Sequence, residues 1–189
     1  MDLYHIALFL HILTLLVATG AAALTRLATG RCDQARSVGE ALEWHKMMIA
    51  SSRWFPICIA SFVITGFYML SVTHVSAFST GFILAGLVGV VLLLASGAFL
   101  GAKAKALESR LEGLAANGAD QPKPKVAAST SVVVLPVVNT MLALGIVFDM
   151  VTKPASIPEA LSVLAIGIVL GAALAMKRSS AEVEDASAA

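Results

Sequence analysis

Two histidines, His5 and His11, stand in the run LYHIALFLHILTLL (residues 3–16) among side chains that otherwise suit hydrocarbon. An imidazole offers a lone pair to a metal ion or a haem iron, and it also donates and accepts hydrogen bonds. In an apolar medium it costs free energy unless one of these roles is filled. Residues six apart lie about 240° from one another around a helix, so a straight helix cannot bring both rings to one ion. Further along, Tyr68, Met69 and His74 close an apolar run, Asn139 follows Pro136 in LPVVNTM, and Asp149 precedes MVTKP. Two opposed imidazoles are what a b-type haem takes, and a histidine pair with a thioether is what copper takes. The chain has no Gly-rich phosphate loop, Ser/His/Asp series, CxxC or HExxH. Hydrolytic and nucleotide-dependent chemistry is therefore without support, and a redox role is the enzymatic one left open.

These residues need elements to position them, and composition says which. Of 189 residues 58% are hydrophobic and 13% charged, with a mean hydropathy of +0.88. A soluble domain of ordinary make-up is about 45–50% apolar and roughly 25% charged, so the bilayer must take up the excess. A net charge of +1 excludes the strong basic field that a nucleic-acid partner requires. Cys32 and Cys58 form neither a disulfide framework nor a metal-type spacing.

A helix crosses the hydrocarbon with about 20 apolar residues. Five windows qualify: Leu3–Leu24, Trp54–Val72, Phe78–Gly101, Ser131–Val151 and Ile157–Met176. The expected fold is all-α, a polytopic bundle of five transmembrane helices in one domain over residues 1–178, with a disordered acidic tail over 179–189. Asp2 and the lack of a basic residue before the first apolar run argue for a retained span rather than a cleaved signal peptide.

Twelve of the thirteen Lys and Arg residues fall in the first and third connections and the tail, and only Lys153 falls elsewhere. The positive-inside rule then puts the amino terminus outside and the carboxyl terminus in the cytoplasm, as in a multi-pass protein of the bacterial inner membrane. Sorted by depth, Tyr4, His5, His11, Tyr68, Met69, His74, Asp149 and Met150 collect in the outer half. His11 lies about 9 Å deeper than His5, and Asn139 lies closer to the middle. His5 and His74 share a depth on consecutive helices.

For His5 and His74 the alternative to ligation is solvation at the interface. For His11 it is a neutral imidazole hydrogen-bonded across helices to a hydroxyl or a carbonyl, although an ionisable residue inside the membrane is by default a candidate functional site. Asp149 has Lys153 one turn on as a pairing partner, and Asn139 with Pro136 marks a kinked, locally satisfied stretch. His45 and Lys46 read as solvated or facing lipid phosphate, with Trp44 and Trp54 as interfacial anchors.

The segments 39–56 and 102–114 have helical periodicity and are expected to pair outside the membrane on the cytoplasmic side. Residues 117–125, NGADQPKPK, read as a polar linker. Gly97 and Gly101, and Gly167, Gly171 and Ala175, recur four apart, a spacing that lets helices approach within one chain or across a dimer seam.

The first helix, LHILTLLVATGAAAL, and the stretch LPVVNTMLALGIVFDMVTKP resemble the small bacterial integral membrane proteins grouped with the copper-resistance CopD membrane domain and the HemJ-type protoporphyrinogen oxidases. The resemblance implies a first-helix histidine tied to haem or copper, and His11 is the matching position. HemJ-type enzymes pair that histidine with an intramembrane lysine. This sequence has none in any span, so the resemblance does not extend to porphyrinogen oxidation.

Two readings follow. One is a b-type haem or copper site in the outer half, with His11 as leading ligand, His5 or His74 as helper and Met69 as thioether, and with Tyr68, Asn139 and Asp149 lining a polar pocket. It would serve electron transfer or metal handling. The other is a non-catalytic scaffold or accessory subunit that works through a homo-oligomer or a larger membrane complex. A transporter is weakest, because the chain shows no inverted repeat and almost no intramembrane charge.

Overall fold

Apolar runs without internal proline near their centres give long helices, and the computed structural model of the chain is built of helices alone among the residues it describes: 2–75, 80–123 and 130–188. They are α1 (Leu3–Gln34), α2 (Val38–Ser52), α3 (Trp54–Thr73), α4 (Gly81–Ala116), α5 (Thr130–Thr152) and α6 (Ile157–Ala188). Five stretches, with α2 and α3 counted as one, are long and apolar enough to cross a membrane. The protein is an all-α, multi-pass membrane protein by this measure. Burial is inverted relative to a soluble core. Leu16, Ile64, Val91 and Val169 are exposed, while Ala7, Ala21, Ala28, Thr14 and Thr65 are buried. Where lipid supplies no hydrophobic drive, small side chains let helices close up and large ones face the acyl chains.

The chain forms two compact units, one of Met1–His74 with Gly101–Val126 and the other of Val75–Leu100 with Ala127–Ala189. In the first unit α1 runs past the expected Leu24 to Gln34, about 48 Å at 1.5 Å per residue. Charged Arg26 and Arg31 end the apolar window but do not break a helix. Its buried positions recur every seven residues at Ala7, Thr14, Ala21 and Ala28, with Ala35 buried one heptad beyond.

The amino terminus of α2 is closed from two sides. The Ser37 hydroxyl accepts from the Glu40 N–H at 3.2 Å, and the Glu40 carboxylate accepts from the Arg36 N–H at 3.0 Å, a reciprocal arrangement of the S-x-x-E type. The Val38 and Gly39 N–H groups donate to the Gln121 and Ala119 carbonyls at 3.0 and 2.9 Å. A Cβ at Gly39 would stand 3.2 Å from Ala119, so glycine is what allows this approach. The Lys123 ammonium donates to the Cys32 and Asp33 carbonyls at the end of α1. The polar linker is thus strapped to the two helix ends as far as Lys123, and residues 124–129 lie outside the described ones.

The expected pairing of segments 39–56 and 102–114 is present. Cys32, Ala35, Val38, Ala41, Leu42 and Leu111 form a buried cluster, with Trp44, Leu107 and Leu114 against it. Two expectations are corrected here. His45 is only 2% exposed and its Nε2–H donates to the Ala104 carbonyl at 2.8 Å, so it joins α2 to α4 instead of facing lipid phosphate. Trp44 packs on the cluster, while Trp54 remains exposed. Lys46 forms a half-exposed pair with Glu112 at 3.7 Å.

In the second unit α5 and α6 form an antiparallel hairpin. A Cβ at Gly171 would meet the Val138 Cα at 2.7 Å, and one at Gly167 would meet the Met141 carbonyl oxygen at 3.0 Å, so this small-residue stripe serves packing within the chain. Ala85, Leu142, Ala160 and Leu164 form the core. Helix α4 begins at Gly81, where the Gly81 and Phe82 N–H groups donate to the Ala155 and Pro154 carbonyls. Residues 78 and 79 of the expected third span lie outside the described ones. Helix α6 is assigned as far as Ala188; alanine and glutamate, frequent over 179–188, are strong helix formers.

Candidate functional site on helices α1 and α3

The antiparallel contact of α1 with α3 carries a ladder of polar side chains through otherwise apolar helices. The His11 Nδ1 and Thr65 Oγ1 atoms are 2.9 Å apart, and the Thr14 and Ser61 hydroxyls are 2.8 Å apart. Thr14 donates to the Leu10 carbonyl and Thr65 to the Ser61 carbonyl, both at 2.7 Å. Hydroxyls inside a helix satisfy themselves in this way on the carbonyl four residues back. His11 also meets the Phe62 ring edge-on at 4.9 Å between centroids. Gly66 lies beside the imidazole, where a Cβ would make an ordinary contact with its Cε1 at 3.9 Å.

Proton accounting orients the ring. A threonine hydroxyl has one proton, and that of Thr65 goes to Ser61. With the Thr65 proton on the Ser61 carbonyl, the Thr65 oxygen accepts from His11, and in that tautomer Nδ1 is protonated and Nε2 carries the lone pair. Nε2 has no hydrogen-bond partner among the described residues, and His11 is half-buried. A ligating histidine has this arrangement, one ring nitrogen donating to a fixed oxygen and the other free to bind.

The other expected residues take different places. His5 lies 3.9 Å from Asp2 with 65% of its side chain exposed, and its ring meets Tyr4 edge-on. His74 is exposed and ends α3 in the left-handed conformation at φ 54°. The His11–Thr65 and Thr14–Ser61 pairs set a register in which His5 is level with Leu70 and Ser71, about one turn short of His74. Met69 and Tyr68 are half-buried on α3, with Met69 one turn beyond Thr65 on the same face. Asn139 and Asp149 belong to the second unit. Asn139 accepts from the Ser96 hydroxyl at 2.8 Å, and the Thr140 hydroxyl donates to the Pro136 carbonyl at 2.9 Å. The Asn139 amide oxygen and the Thr140 hydroxyl near the proline are therefore paired. The Asp149 side chain makes no pair with Lys153; only the Lys153 N–H reaches the Asp149 carbonyl, at 2.8 Å.

An open apolar groove of about 520 Å³ in the second unit is lined by Phe99, Ser131, Val134, Leu135, Ala172 and Met176, none of them titratable. No group of three or more His, Cys, Asp or Glu side chains converges among the described residues. Sequence reasoning missed Thr65, Ser61 and Thr14, the residues that orient His11. The available signal was Ser61 and Thr65, four apart in an apolar span and so on one face, with Gly66 beside them. Comparison with protein-family models, curated proteins and solved structures returns no match.

Proposed function

We propose that the protein is a multi-pass protein of the bacterial inner membrane that binds a b-type haem or a copper ion at His11, with its amino terminus outside and its carboxyl terminus in the cytoplasm. The observation that carries this reading is the 2.9 Å hydrogen bond between His11 Nδ1 and the Thr65 hydroxyl, which fixes the ring and leaves Nε2 without a partner among the described residues. Met69 is the nearest thioether by register. His5 and His74 lie further out along the same two helices and are exposed. When bound, the group would supply one-electron chemistry or metal handling; the chain supplies an imidazole held by the Thr65 hydroxyl and packed against the Phe62 ring.

The test is the visible spectrum and metal content of the full chain purified in detergent. The reading expects a Soret band or one copper per chain, lost in His11→Ala while helicity is kept. Folded wild-type protein with neither would overturn it. A scaffold reading is favoured by one observation: Cβ atoms at Gly97 and Gly101 on α4 would meet nothing within 4 Å, which leaves that stripe open to a second copy. It expects Gly97→Leu to shift the protein from oligomer to monomer.

A further inference from the structure

Asp149 is the largest departure from ordinary burial in the second unit. It is 0% exposed, and neither carboxyl oxygen has a hydrogen-bond partner among the described residues. A carboxylate in that condition, without counter-charge or donor, costs several kcal/mol to hold.

The elements around it offer no cation. Helix α4 brings Ala85, Gly86 and Gly89 to this part of the unit, where a Cβ at Gly86 would meet Met150 and one at Gly89 would meet Ile146. The 81–90 stretch of α4 contains no charged residue. Helix α6 brings Ala160 and Leu164, both buried, and Glu159, the charged group close enough to act on Asp149. Glu159 is negative and accepts from the Ser156 hydroxyl at 3.3 Å. On α5 itself Lys153 is the nearest cation in sequence, but it turns out of the helix at φ 51° and its side chain is exposed. Every nearby charge therefore opposes an ionised Asp149 or is directed away from it.

We infer that Asp149 is a proton-binding site, a carboxylic acid held neutral inside the membrane and exchanging its proton with water at the α5–α6 connection. The connection lies one helical turn away, with Lys153 and Glu159 at its two ends. Release gives the carboxylate and a hydronium ion, and uptake restores the acid, so no other reactant is involved. This role is independent of His11.

The test is the infrared spectrum of the full chain in liposomes at pH 7.5, wild type against Asp149→Asn, whose amide matches the neutral acid in shape. The expected result is one protonated-carboxyl carbonyl band per chain in the wild type that is absent in the variant. Absence of that band from the wild type, or its persistence in Asp149→Asn, would overturn the inference. Should the variant not fold, wild-type protein treated with dicyclohexylcarbodiimide, which attacks protonated carboxyls in apolar surroundings, assigns the band. An adduct on Asp149 at pH 7.5 supports the site, and a band without that adduct contradicts it.

Discussion

Replacing Thr65 by valine keeps the branched shape of the side chain and removes the oxygen that accepts the His11 proton. Interhelical hydrogen bonds in membranes average about 0.6 kcal/mol and reach about 1.7. Thr65→Val is therefore expected to destabilise the protein by about 1 kcal/mol, read as a shifted midpoint of unfolding in mixed micelles. The same change frees the ring to rotate, and loss of an orienting partner of this kind typically weakens ligand binding by about 10–100-fold. A haem or copper titration of the variant checks this second effect, and an unchanged affinity would separate Thr65 from ligand binding. Ser61→Ala removes a hydroxyl paired with Thr14 rather than with His11, so it is expected to cost stability without moving affinity.

At the scale of elements, the closest approach is that of α6 to α5. Gly171→Leu would drive a side chain into the Val138 backbone, 2.7 Å from the position of the new Cβ. Overpacking costs about 1–3 kcal/mol, and an obstacle made of backbone puts this variant at the upper end, measurable by thermal unfolding in detergent. Gly97→Ala meets open space and is expected to stay within about 0.5 kcal/mol. The five spans were legible because runs of Leu, Val and Ile leave no other reading. The reach of α1 was not, because Arg26 and Arg31 end a hydropathy window while the helix stops only where Ala35 leaves helical geometry. His11 was legible as a polar intruder, but its partner depends on the register of α3, which hydropathy does not encode. Asp149 and Lys153 stand one turn apart in sequence, and the pair fails because the helix ends between them with Lys153 in a left-handed turn. Burial of His45 was hidden for a similar reason: its acceptor, the Ala104 carbonyl, lies 59 residues away.

For the whole molecule, the distribution of charge and apolar length supports five crossings. The described structure supplies five suitable helical stretches, and twelve of the thirteen basic residues fall in segments that five crossings place on one side. Loss of any one of the last four crossings would put Arg26, Arg31 and Arg36 opposite Lys177 and Arg178, against the rule that basic connections stay in the cytoplasm. That threading, with the basic segments inside, would place His5 and His74 toward the outer surface and the strapped Lys123 segment toward the cytoplasm. Asp120 and Ala155 are both exposed, on connections that the threading assigns to opposite sides, while the native Cys32 and Cys58 are buried. The direct measurement is labelling of Asp120→Cys and Ala155→Cys by a membrane-impermeant maleimide in intact cells and in inverted vesicles. The account predicts that Ala155→Cys is labelled in intact cells and Asp120→Cys only after inversion; labelling of Asp120→Cys in intact cells would contradict it.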